Sequence, residues 1–443
     1  MQIKLRSFKK SDYIFITFCF VISVFVFVTT LIRASRTCIT YDEAYTYCNY
    51  AKDFSISQFF HPNENLSANN HLLNTISIFL LDRLFGGYTY HEFLIRAPVL
   101  MTFIIYIAGS YMISKNKKCR YILFGLLTMN YYLNEFFGIA RGYAMAAAFV
   151  LLSLLFVQKI QMPVNPQSSQ KKAEISQIDK KNIFISLGFA IAASFANTIA
   201  LLYLFSLPVF FLICFLRNKI DILMFIRKNI VLILINLFIV LYLIFYHFMV
   251  TSADNVLYYG NLLEMLSLNY GWMLFKNIGL RMALQVVLLL LVGFGLKKTK
   301  GKLIKNDDFL LMAISVMMLF VPPLITKQQF PATRLLIPFW PVIAIGLSAV
   351  ISEICDHAKK IQVNQIYTGA VLGILLISYA HQFNLRGTHD WRYDYVVRDY
   401  AYEALRVGTR VSVKRQDQLE KTWIFYEEKI LRFNNTEIID WEE

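Results

Sequence analysis

From residue 13 to residue 381 the chain is a succession of apolar runs of roughly 15 to 21 residues, and a helix of about that length crosses a bilayer core of ~30 Å. The runs lie near 13–32, 94–113, 121–134, 139–158, 183–197, 199–216, 230–250, 282–296, 309–325, 335–352 and 366–381. A soluble domain is excluded, because charged residues make up only 16% of the 443, against about a quarter in ordinary globular chains. The expected fold is an all-α polytopic membrane protein of about eleven spans, with residues 1–381 as its transmembrane domain. The basic start (Lys4, Arg6, Lys9, Lys10) followed by a core of about 20 apolar residues is too long for a cleaved signal, and reads as a retained first span.

The net charge of +15 invites a nucleic-acid partner until it is mapped onto these spans. With a cytoplasmic N-terminus, the inner segments hold 24 Lys and Arg against 8 acids, an excess that matches the whole net charge. Basic clusters at 115–120, 171–181, 217–228 and 297–305 are therefore a positive-inside signature. The charge reports orientation, and no nucleic-acid partner is expected.

The orientation puts the stretch from Arg33 to Arg96 outside, and there acidic, amide and histidine side chains concentrate. Tyr41-Asp42-Glu43-Ala44-Tyr45 begins a helical pattern (Tyr41, Ala44, Tyr45, Cys48, Ala51) with two carboxylates in its first turn. Asn69-Asn70-His71-Leu72-Leu73-Asn74 leads into a second pattern (Leu72, Leu73, Ile76, Phe79, Leu80, Leu84), too short to span and suited to the interface. Adjacent carboxylates at the edge of hydrocarbon are costly unless paired or used. Residues 33–93 thus read as a catalytic loop folded over the bundle, with a plain solvated loop as the other reading. Cys38 and Cys48 fall on this side together, which admits a disulfide.

Further on, 130–143 is expected to be the outer turn of a helical hairpin, with Arg141 entering an apolar run, where a guanidinium needs an anion, water or a snorkelling path. Arg334, after Pro331, reaches the outer surface in the same way, for a phosphate, a lipid headgroup or simple snorkelling. Residues 159–182 form a polar cytoplasmic linker, and 251–281 a second outer loop. After His381 the hydropathy falls, and 382–443 reads as a small soluble α/β appendage on the outer side: a helix over 394–405, strands over 410–414 and 423–426. The chain holds no nucleotide fingerprint and no metal-spaced Cys or His cluster, so no metal site is assigned and the cofactor stays unknown. Asn65 and Asn434 head glycosylation sequons.

Taken in order, Asp42-Glu43-Ala44, Asn69-Asn70-His71-Leu72-Leu73-Asn74, Arg96 before a proline (Arg96-Ala97-Pro98), and Ala140-Arg141-Gly142-Tyr143-Ala144 resemble the membrane-embedded GT-C glycosyltransferases. The likeness is to the bacterial branch of protein mannosyltransferases and the aminoarabinose transferase of lipid A, and it covers roughly residues 10–160. Where many relatives carry His-Pro-Pro or Lys-Pro-Pro, this chain has Asn70-His71-Leu72. The resemblance implies a polyprenyl-phosphate sugar as donor, an envelope lipid, glycan or protein as acceptor, a bacterial inner (plasma) membrane location, and the first-loop Asp, here Asp42, as catalytic residue.

The chemistry suits these residues. Displacing a lipid phosphate from an anomeric carbon needs a base for the acceptor proton and positive charge for the leaving phosphate. Asp42 is expected as the base of an inverting transfer, with Glu43 as its positioning or acceptor-binding partner in the catalytic pair. Arg96, Arg141, His71 and Arg334 are expected on the donor phosphate, for which arginine offers a planar fork and a permanent charge. Tyr41, Asn70, Asn74 and Tyr143 are the candidates for acceptor or sugar contact. A transporter or flippase of a lipid-linked saccharide, or a surface polysaccharide polymerase or ligase, would draw on similar outward charges. The first usually shows paired repeats and mid-membrane ionisable groups, which this sequence lacks.

Overall fold

The computed structural model describes residues 10–56, 70–85, 92–160, 179–253, 278–299, 301–326, 331, 333–358, 361–385, 387, 388, 390, 391, 397–399, 411–413, 420–426 and 438–440. Both sequons, the middle of the expected cytoplasmic linker (159–182) and most of the expected second outer loop (251–281) lie outside them. The chain is an all-α polytopic membrane protein with one short strand pair near its end.

Helices occupy all eleven expected stretches, and among the described residues six are long and apolar enough to cross a membrane by length and composition, or up to seven if one sharply bent pair counts as a span. The first is α1 (Lys10–Arg36), followed by the short α2 (Tyr41–Thr46), a π-helical turn (Tyr47–Ala51) and α3 (Leu72–Leu84) of the outer loop. Next come α4 (Glu92–Ser114), α5 (Arg120–Thr128), α6 (Tyr131–Phe137), α7 (Gly142–Val157), α8 (Lys180–Ala196) and α9 (Leu201–Arg217). The interfacial α10 (Ile222–Lys228) and α11 (Ile230–Ala253) precede helices Ile278–Lys298, Asp307–Met318, Val321–Thr326, Trp340–Ala358 and Ile361–Gln382.

The bundle is built around α7 and the helix that begins at Trp340, both buried along most of their length. α7 carries Ala144, Ala146, Ala147 and Ala148, all buried, and small side chains let α8 and α4 approach it closely. Hydrogen bonds cross the gap: Ser153 Oγ donates to the Ser186 carbonyl (2.8 Å), and Tyr203 Oη donates to Ser153 Oγ (2.9 Å). At the periphery, α1, α4 and α11 keep rows of large apolar side chains exposed, among them Phe20, Ile104 and Phe238, as faces turned to lipid do.

The expected hairpin at 121–158 is broken more sharply than a turn. With nine residues, α5 rises only ~13 Å and stops at Thr128, because Asn130 caps α6 by accepting from the Leu133 N–H (3.1 Å). The carbonyls orphaned at its end are taken by side chains of other helices: Trp340 Nε1 on Leu126 (2.8 Å), Tyr106 on Leu127 (3.0 Å) and Asn134 Nδ2 on Thr128 (2.8 Å). α6 and α7 then meet at 109° across Gly138–Arg141.

In the C-terminal region β1 (Val411–Val413) pairs in parallel with β2 (Ile438–Asp440). Residues 420–426 are helical where a strand over 423–426 was expected. Trp423-Ile424-Phe425-Tyr426 is apolar without alternation, and such a run fits a buried helical turn as well as a strand. Of the helix expected over 394–405, residues 397–399 are helical and the rest lie outside the described residues. Cys38 is buried and Cys48 half-buried, and the admitted disulfide does not join them.

Candidate active site

Glu43 and Asp42 are neighbours on α2, and a helix turns neighbours about 100° apart. They consequently do different things. Glu43 points into the protein: Thr40 Oγ1 accepts from its backbone N–H (3.2 Å), and its carboxylate accepts from the Thr40 N–H (2.9 Å), forming a capping box. The same carboxylate accepts from Arg96 Nε (2.8 Å) and Nη2 (2.7 Å) and from the Ala140 N–H (2.5 Å). Burial pushes the Glu43 carboxyl up, but the Arg96 charge and hydrogen bonds, with those backbone N–H groups, outweigh it and hold it below its ordinary value.

Arg96 has no exposed surface, and its remaining donors go to the carbonyls of Ala34 (2.9 Å), Thr37 (2.9 Å) and Cys38 (2.7 Å) and to Thr37 Oγ1 (3.1 Å). A guanidinium carries five N–H donors, and here all are directed into the protein. Arg96, expected on the donor phosphate, is thus engaged within the protein, and Glu43, expected to position or to bind the acceptor, is engaged with Arg96. The two pin the end of α1, the start of α2, α4 and the Ala140 backbone to one another.

That pin shapes the stretch before α7. Residue 140 has its N–H on Glu43 and its carbonyl on Asn74 Nδ2 (2.8 Å), so the extended backbone at Arg141 (φ −130°, ψ 143°) is fixed without helical hydrogen bonds. Gly142 follows where nothing larger fits: a Cβ there would run into the Ala196 carbonyl and lie 2.8 Å from His71 Cβ. The Arg141 side chain is directed inward and is fully buried.

Asp42 faces this arginine. Arg141 Nη1 donates to the Asp42 carbonyl (3.2 Å) and to Thr46 Oγ1 (2.9 Å), and Nη2 stands 3.4 Å from Asp42 Oδ2. Nη2 of Arg334 lies 3.6 Å from the same oxygen. Both separations are those of charge pairs and exceed the ~2.7–2.9 Å of a direct charge-assisted hydrogen bond. Arg334 is the more open of the two, with 22% of its side chain exposed. Its Nη1 lies 3.8 Å from Asp390 Oδ2, which also accepts from Tyr132 Oη (3.1 Å), and its guanidinium covers the Trp391 ring at 4.9 Å.

His71 stands beside them, 4% exposed and edge-on to Tyr143 at 4.7 Å. Burial, and then the charges of Arg141 and Arg334, hold it well below the usual histidine range, so the ring is neutral. A neutral imidazole supplies no charge but can still hydrogen-bond, a phosphate oxygen included. Asn70 accepts from Thr75 Oγ1 (2.8 Å) and serves the start of α3, and Asn74 binds Ala140 as above. Tyr143 also lies under Arg141 (5.8 Å), while Tyr41, half-buried, packs at a tilt against Tyr45 (6.0 Å). The structure thus brings Asp42, Arg141, Arg334, His71 and Tyr143 together, and sets Glu43, Arg96 and Asn70 into the frame behind them.

Sequence reasoning missed the part played by the C-terminal region. Beyond Asp390 and Trp391, it docks through Arg33, which donates to Tyr131 Oη and the carbonyls of Asn384 and Gly387 and pairs with Glu135 (3.4 Å). Tyr426 is fully buried; its hydroxyl donates to Glu92 Oε1 (3.1 Å) and accepts from the Ile39 N–H (3.0 Å). Burial and then Glu92 raise this phenol well above its ordinary range, so it stays protonated and donating. Arg398 pairs with Glu92 as well (3.5 Å). Through these contacts the described part of the segment packs on α1, α4 and α6. Among the described residues no group of three or more His, Cys, Asp or Glu could hold a metal ion.

No family model matches the chain, and no curated protein matches it. Among solved structures it is similar to ArnT from Cupriavidus metallidurans. With the crystal structure in the apo state it shares 11% identity at a TM-score of 0.46, over 94% of this chain and 75% of that one. With the crystal structure bound to undecaprenyl phosphate the figures are 12% and 0.47, over 96% and 76%. Likeness at that distance carries no chemistry.

Proposed function

We propose that this chain is an integral-membrane glycosyltransferase that moves a sugar from a polyprenyl-phosphate donor to an envelope lipid, glycan or protein on the extracytoplasmic face, with inversion. The observation that supports it is that one carboxylate oxygen, Asp42 Oδ2, lies close to the guanidinium groups of both Arg141 and Arg334, at 3.4 and 3.6 Å. A base for the acceptor and a paired cationic seat for a phosphate then occupy one place, as a displacement at a phosphate-bearing carbon requires.

In this reading the donor phosphate draws the two arginines to itself, and Asp42 is released from their charge. The acceptor oxygen attacks the anomeric carbon, its proton passes to Asp42, and the carbon–oxygen bond to phosphate breaks with its electron pair leaving on the lipid phosphate. Arg141 and Arg334 hold that developing charge. His71, neutral, and Tyr143 border the reacting centre. Glu43 and Arg96 act from behind, keeping α2 and the 140–142 stretch in register. The N-terminus is cytoplasmic, and residues 33–93 and 382–443 are both outside.

The test is mass spectrometry of lipid-linked sugars and envelope glycans in cells with and without the gene. Accumulation of a polyprenyl-phosphate sugar, with loss of one glycan modification, is expected when the chain is absent. An unchanged donor pool together with a saccharide stranded on the cytoplasmic leaflet would favour a flippase instead.

A further inference from the structure

Three buried side chains around the 140–142 stretch keep a polar atom without a hydrogen-bond partner among the described residues: His71 Nε2, Asn74 Oδ1 and Asn197 Nδ2. All three residues are at most 4% exposed. Native interiors pair nearly all such atoms, because an unmet one costs free energy, and each exception calls for a cause. Asn197 belongs to none of the motifs found in the sequence. It sits at the outer turn between α8 and α9, directly after Ala196, whose carbonyl packs on Gly142 opposite His71 Cβ.

Neither amide can be turned round. Asn74 spends its Nδ2 on the Ala140 carbonyl (2.8 Å), which leaves its oxygen as the unmet atom. Asn197 caps the turn by accepting from the Ile199 N–H through Oδ1 (3.1 Å), which leaves its NH2. The set therefore offers an acceptor, a donor and an uncharged imidazole nitrogen, with no cation. A phosphate oxygen gains nothing from the Asn74 carbonyl oxygen, whereas a hydroxyl both donates and accepts and can satisfy such a mixture.

We infer that Asn197, with Asn74 and His71, forms a hydroxyl-reading subsite for the sugar of the donor, beside the phosphate seat of Arg141 and Arg334. This rests on the glycosyltransferase reading given above. The three atoms are shielded from solvent, so the sugar reaches them as the outer loop and this turn part. The division of labour follows from charge: arginines take the phosphate that every such donor shares, and neutral amides read the hydroxyls that differ among sugars.

The experiment uses the purified full chain and two probes, a polyprenyl phosphate without sugar and the same lipid phosphate carrying a hexose. Asn197→Ser keeps a capping oxygen and loses the NH2. It should weaken binding of the sugar-bearing lipid roughly 5- to 10-fold, as loss of one neutral hydrogen bond does, and leave the sugarless lipid unaffected. Equal weakening of both, or no weakening of the sugar-bearing lipid, overturns the subsite and leaves the three atoms to internal water. If Asn197→Ser does not fold, Asn197→Asp preserves shape and cap while replacing the donor, and is read in the same way. An unmutated chain that binds neither lipid sinks the glycosyltransferase reading itself, and the subsite with it.

Discussion

Glu43 and Arg96, 53 residues apart in sequence, meet in a two-pronged ion pair at 2.8 and 2.7 Å with neither side chain exposed. Breaking such a pair from one side strands the other charge, at a cost of about 3–5 kcal/mol. Glu43→Gln should therefore lower the melting temperature of the purified protein markedly. Arg96→Lys should do likewise, since an ammonium cannot reproduce a fork that also satisfies three backbone carbonyls. Unaltered melting in both variants would return Glu43 to the list of groups that meet substrate.

Asp42→Asn should behave in the opposite way. It removes the proton acceptor and preserves shape, so transfer should fall by roughly 10²–10⁴-fold while folding and donor binding stay close to those of the unmutated chain. Single-turnover rates and donor affinity measured side by side decide it, and near-normal turnover would take Asp42 out of the mechanism.

Arg141→Lys separates a phosphate partner from a membrane anchor. A lysine keeps the charge and loses the planar fork, so turnover should slow more than donor binding weakens if the guanidinium meets charge that grows in the transition state. The complete burial of Arg141 already speaks against a side chain that reaches the interface for solvation. A rate equal to that of the unmutated enzyme would reduce it to a structural contact.

His71 sets a stability change with a defined direction. In the unfolded chain a histidine titrates near 6.5, and in the folded chain burial, Arg141 and Arg334 hold His71 well below that. Below about pH 6.5 the unfolded chain takes up a proton that the folded one refuses, so stability falls by up to about 1.4 kcal/mol per pH unit until the folded value is reached. Above 6.5 His71 contributes no slope. Glu43, held below 4.5, begins to lose its contribution only as the pH drops from there, so the two do not overlap near neutrality. Melting temperatures between pH 7.5 and 5.5 should decline less steeply for His71→Asn, and parallel curves would count against the neutral ring.

How much of this was legible depended on distance along the chain. The apolar runs located the helices, and the turn patterns at Tyr41 and Leu72 gave α2 and α3, because those signals repeat every few residues. Asp42 and Arg141 stood out as charges at the edges of apolar stretches. The separate roles of the two carboxylates were also present locally: Thr40-Tyr41-Asp42-Glu43 has the spacing of a capping box, which marks Glu43 as a structural acceptor. Arg96 could not be sorted that way, since its partners come from 34 to 43 and only folding brings them to it. Asp390 meets Tyr132 from 258 residues away, and no periodicity records a contact of that kind.

The docking of Tyr426 onto Glu92 and Ile39 has a bearing on how the protein is made. A ribosome delivers Glu92 and Tyr132 well before Tyr426 and Asp390, their partners 334 and 258 residues further on. A nascent chain halted before Asp390 would hold its helices in the bilayer with Arg334 lacking the second carboxylate and Glu92 lacking its phenol. Insertion of the early helices and assembly of the site are thus separate events in time, and the site is complete only once Asp390 and Tyr426 have been translated.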